Sequence, residues 1–198
     1  MDRSQKELCR KTAAKLLAAQ QTLIFPIEPH LLRINAPVYF DSVQSYCYTA
    51  RLPITAFCCE QVIRDGCTIF SDDRSFYLVL YNEWNSSPAR RRFTLAHELG
   101  HILLSHGDDS DQSETLANRF ASQLLVPRVC LSYLRQANSN LAISQISQFF
   151  GVSQKAAELA LQDTESPAIS MEESRFLHKC TRQMDFFLNS CLEPIVSC

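Results

Sequence analysis

The stretch Arg92-Phe93-Thr94-Leu95-Ala96-His97-Glu98-Leu99-Gly100-His101 decides the fold of this chain. Ser87-Pro88 precedes it, a pair typical of a helix start because serine caps the first turn and proline is tolerated at the first helical position. Apolar residues on most sides predict a central, buried helix that runs through Leu104 and stops near Gly107. Two imidazoles and a carboxylate in such a helix are costly to bury without partners, which a metal ion would supply.

His97 and His101 have the spacing of two ligands for one ion. Residues four apart in a helix lie one turn above each other, offset by about 40° and separated by roughly 6 Å along the axis. Both imidazoles can then reach one ion at Zn–N distances of about 2.0–2.1 Å. Glu98, about 100° round the helix, flanks the ion, where it can take a proton from activated water and pass it to a leaving amine. The alternative is a buried helix that happens to carry two histidines.

A third ligand is expected downstream, because catalytic zinc sites have three protein ligands and leave the fourth position to water. The candidates are His106, Asp108, Asp109, Asp111 and Glu114. Glu114 ranks first, since it opens the next predicted helix and a short loop lets that helix fold back beside the first. Asp111 ranks second. His106 ranks third, because it lies about 140° round from His101.

Glu114 and Asn118 also have ordinary interpretations. Asp111-x-x-Glu114 fits a capping box, in which Glu114 would serve only to cap its helix. Asn118, one turn after Glu114, is either a hydrogen-bond partner for a ligating imidazole or a common polar helix position.

The segments around the central helix predict an α+β fold. Residues 67–70 and 76–81 are apolar, flank a polar turn and predict a hairpin, and residues 38–40 predict a third strand. Further helices are predicted at residues 4–21, 30–35, 130–137, 143–150, 153–161 and 170–188. The strands precede most of the helices rather than alternate with them, which is typical of α+β proteins.

Two runs together resemble the ImmA/IrrE metallopeptidase family: residues 92–101, quoted above, and Glu114-x-x-Ala117-Asn118-x-Phe120-Ala121-x-x-Leu124-Leu125-x-Pro127. The resemblance covers roughly residues 5–127. It implies a zincin-like metallopeptidase domain at residues 1–127, with a small three-stranded sheet packed on the active-site helix. It also implies that His97, His101 and Glu114 are metal ligands and that Glu98 is the general base.

The same resemblance implies a function and its partners. The expected activity is that of an endopeptidase with one Zn²⁺ per chain, although Mn²⁺ and Fe²⁺ also suit this ligand set. The implied substrate is a protein, a helix-turn-helix transcriptional repressor of a mobile element or prophage. We expect an edge strand at residues 76–82 to align the extended peptide. The alternative is a regulatory or stress-response protein that binds a partner with little turnover.

The carboxy-terminal part predicts a helix-turn-helix-like region at residues 128–163 and a helical tail at residues 164–198, with a linker at residues 164–167. A DNA-binding module is therefore a further alternative. However, the second helix of the pair carries one lysine beside one glutamate, so direct nucleic-acid binding is not expected. His178, Cys180, Cys191 and Cys198 lack zinc-finger spacing.

Composition predicts a cytoplasmic protein. The formal net charge is −2, no stretch has membrane-spanning length, and the charged start shows no secretory signal. Nine cysteines, an odd number without a Cys-x-x-Cys pair, are typical of a reducing compartment. Arg90-Arg91-Arg92 lies at the helix end that disfavours cations, so we expect solvated side chains with packed stems or, alternatively, a dock for an acidic partner.

Overall fold

A computed structural model describes residues 2–59, 62–84, 87–108, 110–163 and 168–192. Its helices are α1 (Arg3–Ala19), α2 (Val43–Ala50), α3 (Pro88–Leu103), α4 (Asp111–Leu125), α5 (Arg128–Ala137), α6 (Ile143–Phe150), α7 (Gln154–Gln162) and α8 (Met171–Leu192). Its strands are β1 (Val38–Ser42), β2 (Cys58–Cys59), β3 (Val62–Ile63), β4 (Gly66–Phe70) and β5 (Tyr77–Tyr81). The α+β fold class is confirmed.

The main sheet has three strands in the order β1-β5-β4. β4 and β5 form the predicted antiparallel hairpin, while β1 pairs with β5 in parallel. β5 therefore lies in the centre of the sheet, and the expectation that residues 76–82 form an edge is wrong. The edge of the sheet that contacts α3 is β4. A separate two-stranded ladder joins β2 and β3.

Helix α3 begins as the sequence predicts. Ser87 is its N-cap, with the serine hydroxyl accepting a hydrogen bond from the backbone N–H of Arg90 at 3.4 Å, and Pro88 occupies the first turn. Leu95, Ala96 and Leu99 are buried in the core. Burial of this face fixes α3 between the sheet and the helices.

A close crossing of α3 and α4 brings their polar residues together. At Gly100, an added Cβ would lie only 3.0 Å from the Cα of Ala117 and 3.1 Å from Cδ1 of Phe120. A glycine at this point lets α4 lie against α3, so that residues one turn before Ala117 face His97 and His101. The close approach thus depends on the absence of a side chain.

The start of α4 differs from the predicted capping box. The N-cap is Ser110, whose Oγ accepts a hydrogen bond from the backbone N–H of Ser113 at 3.3 Å, and Asp111 is the first helical residue. Serine one position earlier takes the capping role, so Asp111 and Glu114 are out of register for a reciprocal box.

The carboxy-terminal helices share one apolar core with the first half of the chain. Residues of α1, α3, α4, α5, α6, α7 and α8 belong to a single buried cluster, in which Phe120, Phe150 and Phe176 are among the largest side chains. Gly151, with φ of 64°, makes the turn between α6 and α7. The boundaries after residues 127 and 163 stay predictions, and the predicted linker at 164–167 lies outside the described residues.

Near the amino terminus, one helical prediction is wrong and one helix was not predicted. The helix expected at residues 30–35 is a single 3-10 turn, Pro29–Leu31. Helix α2 was not predicted, because Val43, Tyr46 and Tyr48 belong to residue types that favour strands. Its N-cap, Ser42, accepts from the backbone N–H of Ser45 at 3.0 Å and starts the helix despite that preference. None of the described helices combines the length and apolar character that a membrane crossing requires.

Candidate metal centre

His97, His101 and Glu114 bring three donor atoms to one point. Their donor atoms lie within 4.8 Å of one another. His97 Nε2 is 3.0 Å from His101 Nε2. The two carboxylate oxygens of Glu114 face different nitrogens: Oε2 is 3.3 Å from Nε2 of His97, and Oε1 is 3.3 Å from Nε2 of His101. Ligands at about 2.0–2.1 Å from a tetrahedral ion are about 3.3 Å apart. The donor set therefore fits a tetrahedral divalent ion.

Each imidazole is also contacted at its other ring nitrogen. Nδ1 of His97 lies 3.0 Å from Oδ1 of Asn118, and Nδ1 of His101 lies 3.2 Å from Nδ1 of His106. A partner at Nδ1 turns the ring so that Nε2 faces the ion and selects the tautomer able to bind it. Asn118 thus lies where the first of its two predicted roles would put it.

His106 does not join the donor group. Helix α3 ends at Leu103 and Ser105 has a φ of 57°, so the chain reverses and places His106 behind His101 rather than beside the three donor atoms. Burial is the main influence on His106 and lowers its pKa, which keeps the ring neutral and able to accept a hydrogen bond. The structure therefore gives His106 a supporting contact instead of the ligand role ranked third.

Asp108 and Asp111 do not belong to the donor group. Oδ1 of Asp108 accepts hydrogen bonds from the Ser113 hydroxyl at 2.9 Å and from the Ser110 backbone N–H at 3.2 Å. The side chain of Ser110, followed by these two contacts, lowers the pKa of Asp108. Asp111 is exposed in the first turn of α4. Asp109 lies outside the described residues. Of the groups within the described ranges, only the His97–His101–Glu114 set could hold an ion.

Glu98 lies beside the donor group, and its carboxylate contacts strand β4. Oε2 of Glu98 accepts a hydrogen bond of 2.6 Å from the Thr68 hydroxyl. Sequence reasoning missed Thr68, because one threonine in a short strand carries no chemical signature. The available signal was the alternation of the strand, which places Gly66, Thr68 and Phe70 on one face.

An open cleft of about 700 Å³ surrounds these groups. It is lined by residues from β4, from α3 and from the first turns of α4, and by the β4–β5 turn. Such a volume lies within the ordinary range of ligand sites. Cys67 also reaches this cleft, but burial, reinforced by the charge of Glu98, raises the pKa of its thiol to about 11.

The three arginines at the start of α3 are used within the chain. Arg90 forms an ion pair with Asp65. Arg92 donates to Oε1 of Glu28 at 2.7 Å and to the carbonyl of Gly151 at 3.0 Å. Their expected role as solvated residues with packed stems holds for Arg90, which is 62% exposed, but not for Arg92 at 16%. Arg92 instead ties α3 to the α6–α7 turn.

These features define the zincin-like class of α+β folds. One helix carries two donor histidines, the next helix returns beside it and supplies a glutamate, and a small sheet lies along the cleft. The sequence model of the peptidase M78 family, described as the IrrE N-terminal-like domain, matches residues 67–162. The match over this segment supports membership of the ImmA/IrrE family and confirms the resemblance inferred from the two sequence runs. The matched segment continues beyond Pro127 and includes α5, α6 and α7.

Comparisons with other proteins add less. A search of the curated proteins gives no match. Among solved structures, the chain is similar to one described as a Mycobacterium tuberculosis transcriptional regulator, with 17% sequence identity and a TM-score of 0.45. The similarity covers 84% of this chain and 49% of that one, so this chain spans about half the length of that relative.

Proposed function

We propose that this chain is a metal-dependent endopeptidase. The observation that carries the proposal is the arrangement of His97, His101 and Glu114, whose donor atoms have the mutual spacing of ligands around one tetrahedral ion. The family match supports the same activity, since the family is one of peptidases. Metal-binding side chains without a catalytic role would not require the neighbouring carboxylate of Glu98.

Each residue of the site has a distinct task in this proposal. His97, His101 and Glu114 hold the ion, and Asn118 and His106 orient the two imidazoles from behind. When bound, the ion would polarise the scissile carbonyl and lower the pKa of water to roughly 7. Glu98 takes the proton from the attacking water and delivers it to the leaving nitrogen.

The peptide is proposed to lie along β4. This strand is the edge of the main sheet beside α3, so its outer backbone groups can pair with an extended chain. The peptide is therefore proposed to pair with residues 66–70 rather than with residues 76–82, the segment expected from the sequence. A complex with a substrate analogue that pairs with no backbone group of β4 would refute this alignment.

Zn²⁺ is the proposed metal, in one copy per chain. The spacing of the donors supports a tetrahedral ion, and two nitrogens with one carboxylate oxygen are ligands that zinc accepts. Elemental analysis of the purified protein, followed by competition with a chelator, distinguishes zinc from manganese and iron. Zinc predicts one equivalent that Mn²⁺ in modest excess does not displace.

The proposed substrate is a helix-turn-helix repressor of a mobile element or prophage, cleaved in the cytoplasm. This step rests on the family resemblance. The eight cysteines within the described residues are all free thiols, which supports a reducing compartment. The test uses the repressor encoded nearest to this chain in the genome, with cleavage followed by mass spectrometry of the new termini.

Two variants separate the peptidase from a binding protein with little turnover. Glu98→Gln should keep the metal and lose cleavage, because the ligands remain while the proton acceptor is gone. His97→Ala should lose the metal as well. If the Glu98→Gln protein retains the biological output of the wild type, partner binding is the function and the peptidase proposal fails.

The DNA-binding alternative finds little support in α7. Lys155 of this helix lies 3.7 Å from Glu158, so its charge is partly offset at the surface. A gel shift at low salt is expected to show no binding to duplex DNA, since phosphate contacts supply most non-specific affinity.

A further inference from the structure

Strand β4 carries a side chain, Thr68, that contacts Glu98, the proposed general base, rather than the proposed metal ligands. The Thr68 hydroxyl donates a 2.6 Å hydrogen bond to Oε2 of Glu98, in a partly buried contact. We propose that Thr68 is a positioning residue, which holds the Glu98 carboxylate in the orientation from which it takes the proton of the attacking water. This inference rests on the proposed peptidase function and extends it to a residue outside the helix.

The spacing of α3 and β4 makes this contact a product of the fold. Thr94 and Glu98 are four residues apart on α3, which separates them by roughly 6 Å along the helix axis. Gly66 and Thr68 are two apart on β4, a separation of about 6.6 Å on the same face. Because Gly66 lies against Thr94, the two nearly equal spacings set Thr68 opposite Glu98.

Gly66 keeps the helix close enough for the hydrogen bond to form. A Cβ at this position would lie 2.4 Å from Cγ2 of Thr94 and 2.9 Å from the carbonyl oxygen of Leu80. Both distances are too short for a real contact, so a side chain here would clash with Thr94 of α3 and with the backbone of β5. The absence of a side chain at Gly66 therefore lets α3 lie close to β4, which allows the short hydrogen bond between Thr68 and Glu98.

A fixed carboxylate matters because the Glu98 side chain has several rotatable bonds. A displacement of about 1 Å in a reacting group can cost roughly 100-fold in rate. A hydrogen bond to an ionised acceptor is stronger than one between neutral groups, so the Thr68 hydroxyl can select one arrangement of the carboxylate. The proposed peptide-binding edge and the support of the base then belong to one strand.

The test measures steady-state cleavage by the Zn²⁺-loaded chain of 198 residues, using the fastest peptide identified in a library of internally quenched peptides. Thr68→Val keeps the shape and removes the hydroxyl. We expect its kcat to fall roughly 10- to 100-fold while KM and bound zinc stay within about twofold. Thr68→Ser, which restores a hydroxyl, should return kcat to within about threefold of the wild type.

A matched control comes from α8. The Thr181 hydroxyl donates to the Leu177 carbonyl at 2.9 Å, far from the metal centre in the sequence and within a helix. Thr181→Val removes a partly buried hydroxyl of the same kind and should leave kcat unchanged. Equal losses in Thr68→Val and Thr181→Val would assign the effect to general destabilisation and overturn the inference.

A second measurement needs no activity. Urea unfolding of the metal-free protein should show that Thr68→Val raises the unfolding equilibrium constant roughly tenfold in the wild type and not in a Glu98→Ala background. The absence of this coupling refutes the hydrogen bond as a determinant of position.

The outcomes separate the two proposals. If the wild type cleaves no peptide in a Glu98-dependent way, the peptidase function fails, and the role of Thr68 fails with it. If the wild type cleaves and Thr68→Val cleaves equally fast, only the role of Thr68 fails. If Thr68→Ser is as slow as Thr68→Val, the hydroxyl is not the group that matters, which also overturns the inference.

Discussion

Two regions of this molecule use clusters of polar groups in opposite ways. In the seam between α1 and α8, charged groups pair with charges of opposite sign or donate to backbone carbonyls. Arg10 contacts Glu173 at 2.5 Å, and the Lys179 ammonium donates to the carbonyls of Ala18 and Gln20, which end α1. Most polar groups of the seam are therefore paired within the chain and hold two helices together, although Nε of Arg10 is buried without a hydrogen-bond partner among the described residues.

In the metal centre, the side chains converge instead of pairing. Two imidazole nitrogens and both oxygens of one carboxylate surround the same point. A cation satisfies all of them at once, whereas hydrogen bonds among them require a particular set of protons. The difference predicts that changes in the centre alter metal binding and activity, while changes in the seam alter stability.

Removal of a ligand tests this comparison with the largest expected effect. His101→Ala should retain no metal after dialysis and lose all cleavage, because two donors do not hold the ion against water. Urea unfolding of the metal-free protein should change less than in the seam variant described below, since the His101 side chain lines an open cleft. Metal content and unfolding are measured on the same samples.

A control for His101→Ala is available in α8, one of the two helices of the seam. His178 is exposed on α8, and His178→Ala should keep both the metal and the activity. One equivalent of tightly bound metal in His101→Ala would break the assignment of the donor set.

Substitution in the seam should give the reverse result. Glu173 is only 3% exposed, and Oε2 also accepts the backbone N–H of Ser170 at 2.9 Å. Glu173→Gln removes the nearer anion of the buried Arg10 guanidinium and leaves only Glu7, 4.0 Å away, so the free energy of unfolding should fall by about 3 kcal/mol. Zinc affinity, measured by chelator competition on the folded protein, should stay within about twofold.

The surface pair Lys155–Glu158 provides the contrast for Glu173→Gln. These side chains are 73% and 39% exposed, so Glu158→Gln should change the free energy of unfolding by less than about 1 kcal/mol. A loss of zinc affinity in Glu173→Gln, at a temperature where the variant is folded, would contradict the division between seam and centre.

The same comparison explains how much the sequence could predict. Helix α3 and the pair His97–His101 follow from local rules, a capping serine and a spacing of four, so both were predictable. The central position of β5 was not, because it depends on the parallel pairing with β1, a segment far away in the chain. Angles on an ideal helix misled in the case of His106, since α3 ends before that residue and the chain turns back at Ser105.

Contacts between elements were the least predictable part of the site. The Thr68–Glu98 hydrogen bond and the support of His101 by His106 require the relative placement of a strand, a helix end and a turn. The seam is similar, because Arg10 and Glu173 are ordinary charged residues in the sequence and become a buried pair only when α8 packs on α1.

The finest test separates the ligands from the residue behind them. Asn118 is exposed, yet its Oδ1 lies 3.0 Å from Nδ1 of His97, so it contributes to orientation rather than to stability. Asn118→Leu should weaken zinc binding about 10- to 100-fold, because the His97 ring loses the acceptor that selects its tautomer. Asn118→Asp keeps an acceptor oxygen and should retain most of the affinity. Both affinities follow from chelator competition. Equal zinc affinity in the leucine and aspartate variants would mean that packing alone orients His97. Asn118 would then have no supporting role, and the metal centre would consist of His97, His101 and Glu114 only.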